Sequence, residues 1–193
     1  MTLLPFHSGM TRFLYLLPVL LLLGACSFDP QRMYLLSPDG PPPSRNGRVL
    51  GVGPIRLADY LLRPEIPVQT RENELEYAFE NLWAGTADKQ IGSVLSVNLG
   101  RRLRTGAIHQ YPWEPGSGVE YQVSLDVRKF HSTLDGRVML DVGWRIYDLQ
   151  AKKILTSRSS TLETAIEGEG FQAAFEAKSR LLSRLAGEIS AAF

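Results

Sequence analysis

The sequence predicts an α/β fold: a single layered domain, with helices packed on a mixed, mostly antiparallel sheet. Three observations lead there. Residues 121–128 and 138–147 alternate apolar and polar side chains on either side of Asp135-Gly136. Residues 86–104 and 171–192 carry apolar side chains at three- and four-residue spacing, the mark of helices with one buried stripe. Strand-like runs stand both before and after the first of these helical segments, which makes that segment a crossover on a mixed sheet.

At the N-terminus, Met10-Thr11-Arg12 leads into the apolar run Phe13 to Leu23, followed by Gly24-Ala25-Cys26. A short basic start, an apolar middle and small residues before a cleavage point define an export signal. The run is shorter than the roughly 20 apolar residues that a membrane-spanning helix needs. Leu23, Gly24, Ala25 and Cys26 together resemble the bacterial lipobox, in which the cysteine sulfur receives a diacylglycerol and cleavage leaves the cysteine as the new N-terminus. The only group this reading attaches is that covalent diacylglycerol with an acyl chain on Cys26; no other cofactor is expected. Cys26 is the sole cysteine, so no disulfide is available to the mature chain. Two or more acyl chains give stable anchoring where one gives only reversible binding. Ser27 stands where an Asp would commonly signal inner-membrane retention, which favours a lipid-anchored outer-membrane protein facing the periplasm.

The chain then divides into residues 1–25 as signal, 26–47 as lipidated N-terminus and tether, and 48–193 as the domain. Residues Ser37 to Gly47 are rich in Pro and Gly and read as extended and solvated. Fully stretched, the chain from Cys26 to Val49 would reach roughly 70 Å. Within it, Tyr34-Leu35-Leu36 is apolar enough to dock on the domain as a short strand. Removing the signal leaves about 170 residues, enough for one sizeable core and short for two.

Arg48 to Ile55 reads as a first strand, buried on both faces and ended by Pro54. Residues 66–70 and 75–79 form a hairpin around a polar turn, with Pro67 near a sheet edge. A helix opened by Thr86 and closed by Gly106 places Ile91, Val94, Leu95, Asn98, Leu99 and Leu103 on its buried side. Residues 107–113 give a short strand stopped by Pro112, and residues 114–118 a loop. The Asp135-Gly136 turn joins the two long alternating strands, since a primed hairpin turn needs the positive φ that Gly adopts freely. A third strand, Lys153 to Glu163, completes a meander. Phe171, Phe175, Leu182, Leu185 and Ile189 then share one face of a terminal helix.

Composition excludes several functions. Lys and Arg number 21 against 20 Asp and Glu, for a net charge of +1, so no global field draws nucleic acid. Arg101, Arg102 and Arg104 read as a solvated helix end near the negative pole of its dipole. His109 and His131 are the histidines outside the signal, each read as a surface or turn residue without a partner at metal-ligand or triad spacing. No Gly-x-Ser-x-Gly elbow is present, and Gly51-x-Gly53 lacks the helix that a phosphate loop requires. Glu163, Glu167 and Glu169 read as carboxylates opening the last helix. A non-catalytic protein is expected.

The order and spacing of Tyr34-Leu35-Leu36, Gly51 to Leu57, Asp59 to Pro64, Trp83, Asn98-Leu99, Tyr111-Pro112-Trp113 and Gly136 to Trp144 resemble the PqiC-like, or ABC-type transport auxiliary, lipoproteins of Gram-negative bacteria. Ala58 departs from the pattern, standing where many members have proline. The resemblance implies a single three-layer α/β/α domain with a mixed, mostly antiparallel sheet of about five strands, and a docking or collar role at the outer membrane for an MCE-type phospholipid transport system. Its partners would be a periplasmic or inner-membrane MCE-type protein, the outer membrane through the anchor, phospholipid, and further copies of the chain, with no nucleic acid. Tyr60, Leu61, Trp83 and Trp113 are the candidate partner or lipid contacts, set against the commoner fate of large aromatics, which is burial. The competing reading is a structural or cell-wall-associated envelope lipoprotein.

Overall fold

Backbone hydrogen bonding turns the alternating runs into one sheet of eight strands among the residues that the computed structural model describes, 30–43 and 47–193. In chain order the elements are β1 (Arg32–Tyr34), β2 (Leu50–Leu57), a 3-10 turn (Asp59–Leu61), β3 (Glu65–Arg71), β4 (Glu74–Trp83), α1 (Ala87–Leu103), β5 (Ile108–Gln110), β6 (Tyr121–Thr133), β7 (Arg137–Asp148), β8 (Lys153–Ala165) and α2 (Gly170–Ser190). The signal and lipobox residues, Cys26 included, lie outside the described residues. Residues Gln31–Phe193 form one compact unit.

β6 organises the sheet. Along one side it pairs antiparallel with β7, and β7 with β8, giving the expected meander with Gly136 in its turn at φ 81°. Along the other side it is shared: β2 runs parallel to residues Tyr121–Val127, and β3 parallel to Ser132 and Thr133. A register shift between Val127 and Lys129 marks the junction. There the chain leaves β2, and the Ala58 N–H donates to the Val127 carbonyl at 2.9 Å, a bond proline could not make. β5 extends the sheet beyond β2, and β4 and β1 extend it beyond β3.

The α/β class, the mixed sheet and the packed helices are as expected, while the details differ. The strands number eight against about five, because the short runs expected near Tyr34 and at residues 107–113 also pair into the same sheet, as β1 and β5. Pro54 does not end β2; the strand continues to Leu57 past a register shift between Val52 and Ile55, with Gly53 at φ 119°. Pro67 sits in an inner strand, since β3 lies between β4 and β6, but it falls outside the two-residue ladder with β6. α1 ends at Arg104, in the left-handed conformation at φ 57°, before Gly106 is reached.

The helices also share one face of the sheet instead of enclosing it. α1 packs on β2 and β5, α2 packs on β7, β8 and β1, and the two touch each other. Into this side point Leu50 and Val52 of β2, Val123, Leu125, Val127 and Phe130 of β6, and Val138, Leu140, Val142, Trp144 and Ile146 of β7, all buried. The alternate residues Gln122, Ser124, Asp126 and Arg128 are polar, so the opposite face offers a second helical layer no apolar area to bury. The loop around Trp113 covers part of it, the indole lying so close over Gly51 that a β-carbon there would come within 2.6 Å of the ring, and Tyr60 covers another part, over His131.

The Pro/Gly-rich segment is extended, as expected, but it is not a free spacer. β1 pairs with the end of β4, and Tyr34 packs on Phe171 and Phe175 of α2. Beyond it, Leu36 N–H donates to Gln90 Oε1 at 2.8 Å, while the Gln90 amide donates back to the Tyr34 carbonyl. Ser37 N–H reaches Ser179 Oγ of α2, and Asp39 N–H reaches the buried Asn98 of α1. The Asp39 carboxylate then meets Arg101, Arg102 and Ser183, which draws the supposedly solvated arginines into a fixed contact. An extended segment cannot satisfy its own backbone, so these side chains do it instead. Residues 34–41 thus strap the seam between the two helices.

Candidate functional site

The four expected contact residues separate. Leu61 and Trp83 are core residues, 1% and 2% exposed, and Trp83 packs against Phe130 and Phe175. Burial corrects the expectation for both: neither presents a surface to a partner. Tyr60 and Trp113 are half-buried and lie at opposite ends of the open sheet face. Trp113 covers Gly51 of β2 and takes Tyr111, which is exposed, against its edge at 5.6 Å between centroids.

Tyr60 completes the junction in β6. Its hydroxyl accepts the Phe130 N–H at 3.2 Å and shares a 2.8 Å hydrogen bond with His131 Nδ1, whose Nε2 meets Gln69 Oε1. His131 is therefore not a surface or turn residue: β6 runs on to Thr133 and encloses the ring, which is 4% exposed. Burial, with Lys178 and Lys129 nearby, pushes His131 down to about 4, and burial pushes Tyr60 up to about 12, so both stay neutral near neutral pH. With a neutral amide as its other neighbour, the imidazole is held as a hydrogen-bonded strut. His109 sits half-buried in β5, beside Gly51 in register.

On the helix side of the same strand lies a residue that the sequence reading passed over. Lys178 of α2 is fully buried, its ammonium donating to Ser132 Oγ at 2.9 Å and lying over the Phe175 and Phe130 rings at 5.3 and 5.9 Å. Burial alone pushes it down to about 7. Its position three residues after Phe175 and four before Leu182, inside the apolar stripe, was the available signal.

Two concavities mark the surface. One, of about 300 Å³, lies between the strap and the start of α1, lined by Leu35, Pro38, Val94 and Val97, with Lys89 at its rim. The larger, of about 430 Å³, lies on the open face between Tyr60 and Trp113 and is polar. Gly143 forms its floor. Arg128 spans its side, Nε and Nη2 bonded to the two oxygens of Asp141 at 3.1 and 2.7 Å. That pairing lowers the Asp141 pKa and raises that of Arg128, keeping both charged. Arg56 and Asp126 stand in the row of Gly143, and Arg145, Ser124 and Ser157 in the next. The arginines come from strands far apart in sequence, so no local motif announces them. Among the described residues no cluster of His, Cys, Asp or Glu is arranged to hold a metal ion, and no helix is long and apolar enough to cross a membrane.

A helix-covered mixed sheet whose strap is built into the fold is the setting for comparison with known proteins. The family model of the ABC-type transport auxiliary lipoprotein component matches residues 34–190, and the chain belongs to that family. The match begins inside the strap. The intermembrane transport lipoprotein PqiC of Escherichia coli (strain K12) is 27% identical over 101 residues, 52% of each chain, and PqiC of Shigella flexneri matches equally. The chain thus spans about half the length of the curated relatives it matches. The crystal structure of an uncharacterized protein superposes with a TM-score of 0.71 at 22% identity, covering 84% of this chain and 98% of the other. A protein from Xanthomonas campestris follows with a TM-score of 0.61 at 18% identity, covering 82% and 92%. These two share the fold.

Proposed function

We propose that the protein is a non-catalytic accessory of intermembrane phospholipid transport, anchored in the outer membrane, facing the periplasm, and docking an MCE-type transport protein. The observation that carries this reading is the family match over residues 34–190, supported by the likeness to PqiC. In this reading residues 1–25 are removed through the lipobox Leu23-Gly24-Ala25, and Cys26 carries the diacylglycerol and acyl chain that hold the protein in the membrane. The domain begins within the strap and not at residue 48, since the strap's backbone is satisfied by α1 and α2. Docking falls to the open sheet face and its flanking aromatics, Tyr60 and Trp113. His131 and Lys178 serve the fold.

The test is in-cell crosslinking of the lipoprotein at native level, followed by affinity purification and mass spectrometry. Recovery of an MCE-type protein, crosslinked through open-face residues, supports the reading. Recovery of only porins or peptidoglycan-associated proteins, with the bait intact and lipidated, would replace it with a structural envelope lipoprotein. A Cys26→Ser variant that still fractionates with the outer membrane and still incorporates acyl label would overturn the anchor.

A further inference from the structure

We propose that the depression over Gly143 binds the polar headgroup of a zwitterionic phospholipid, Arg56, Arg128 and Arg145 taking its phosphate and Asp126 its primary ammonium. The inference deepens the transport reading and depends on it for the source of the headgroup; the chemistry of the site stands by itself.

The geometry is that of a prepared cradle. Arg128 is pinned by two bonds to Asp141 and a longer one to Ser159, which leaves Nη1 uncommitted. That nitrogen lies over Gly143, 3.0 Å from where a β-carbon would stand. Glycine thus opens a notch in the middle of a strand face at the point where a guanidinium is held still. Arg56 approaches the notch from β2, in the row Arg56, Asp126, Gly143, Ser159. Arg145 approaches it from β7, in a row with Ser124 and Ser157.

Among the described residues, Arg56, Arg145 and Asp126 make no ion pair, so three charges face the cavity without a protein partner. Guanidinium forks match phosphate oxygens in bidentate geometry, and each such bond is charge-assisted. A lone carboxylate beside them would repel a plain anion but accepts bonds from an ammonium group. A headgroup carrying phosphate and a primary ammonium satisfies both signs at once. The lining is mostly polar, with Pro54, Leu125 and Trp144 its apolar members, too little to hold acyl chains, so the tails stay outside and the site reads the headgroup alone.

The experiment uses the full, lipidated chain in a phosphate-free sugar detergent. It is titrated with glycerophosphoethanolamine, with glycerophosphoglycerol, a phosphodiester of the same phosphate charge that lacks the ammonium, and with inorganic phosphate, while NMR follows the Gly143 amide and the arginine Nε–H signals. Glycerophosphoethanolamine is expected to bind about tenfold more tightly than glycerophosphoglycerol, one charge-assisted bond's worth. Arg145→Gln should weaken both about tenfold, and Asp126→Asn should abolish the preference between them. Gly143→Ala fills the notch without changing charge; it should weaken binding while thermal unfolding stays in place. Equal affinity for inorganic phosphate and glycerophosphoethanolamine would show a general anion site and overturn the assignment. Absence of binding, or binding that none of the three variants alters, would overturn it too. Failure to recover an MCE-type partner by crosslinking alongside intact headgroup binding would sink the transport reading alone.

Discussion

Replacing Lys178 with methionine is expected to stabilise the protein at pH 7, although it deletes a hydrogen bond. Burial lowers the lysine from 10.5 to about 7, so the charged form is disfavoured inside the fold by roughly 5 kcal/mol. An unfolded chain binds this proton up to about pH 10.5, whereas the folded chain releases it near pH 7. The unfolded state therefore holds more protons across that window, and the contribution of Lys178 to stability rises with pH through it. Methionine has similar length, keeps contact with Phe130 and Phe175, and removes the penalty. It leaves Ser132 Oγ without its donor, at a cost of about 1–3 kcal/mol, for a net gain of about 2 kcal/mol at pH 7. Near pH 10 the parent lysine is neutral in the fold and about one quarter so unfolded, so the variant's advantage falls by about 3.5 kcal/mol and its sign reverses. Urea unfolding of both proteins at pH 7 and pH 10, followed by tryptophan fluorescence, measures the two differences, and other titrating groups cancel between them. A variant less stable than the parent at pH 7, or a difference that does not change with pH, would refute the reasoning.

His131 acts with the same sign in a more acidic window: its folded value of about 4 lies below the ordinary 6.5, so the unfolded chain takes up the proton first as pH falls. The parent should lose stability between about pH 6.5 and 4, and His131→Gln should lose less over the same range in paired denaturant titrations. Tyr60→Phe removes the acceptor for the Phe130 N–H at the β6 junction and is expected to cost about 1–2 kcal/mol in urea unfolding. Asp39→Ala should cost only about 1 kcal/mol because the ion pairs are partly exposed. Its clearer readout is hydrogen exchange, where faster exchange of the Leu36, Ser37 and Asp39 amides is expected and unchanged protection would remove the strap from the account.

Elements governed by local periodicity were legible. The β6–β7 hairpin follows from alternation and a positive-φ turn, and α2 follows from its stripe. What escaped depends on contacts distant in sequence. β1 and β5 were expected as short strands, but their limits, including a β1 that ends at Tyr34 instead of beginning there, are set by the edges that β4 and β2 offer. The shift between Val127 and Lys129 changes the phase of β6, so that Phe130 and Ser132 face the helices and His131 the open side. Alternation read from Tyr121 alone cannot place them. The single covered face was readable in retrospect, since Gln122, Ser124, Asp126 and Arg128 leave nothing apolar for a second layer. The expected contact aromatics failed where composition could not separate a core indole from a surface one. Trp83 carries the same side chain as Trp113, and only the packing of Phe130 and Phe175 around it decides.

The strap changes how far the protein can stray. With β1 fixed to the sheet from Arg32, four residues stand between Cys26 and Gln31. Stretched to the limit, that stretch spans about 17 Å, a quarter of what a free spacer to Val49 would give. Under the proposed lipidation at Cys26, the domain would be moored against the bilayer with little slack to search the periplasm. A docking partner would then have to cover the remaining distance itself, meeting a receiver presented from a short mooring.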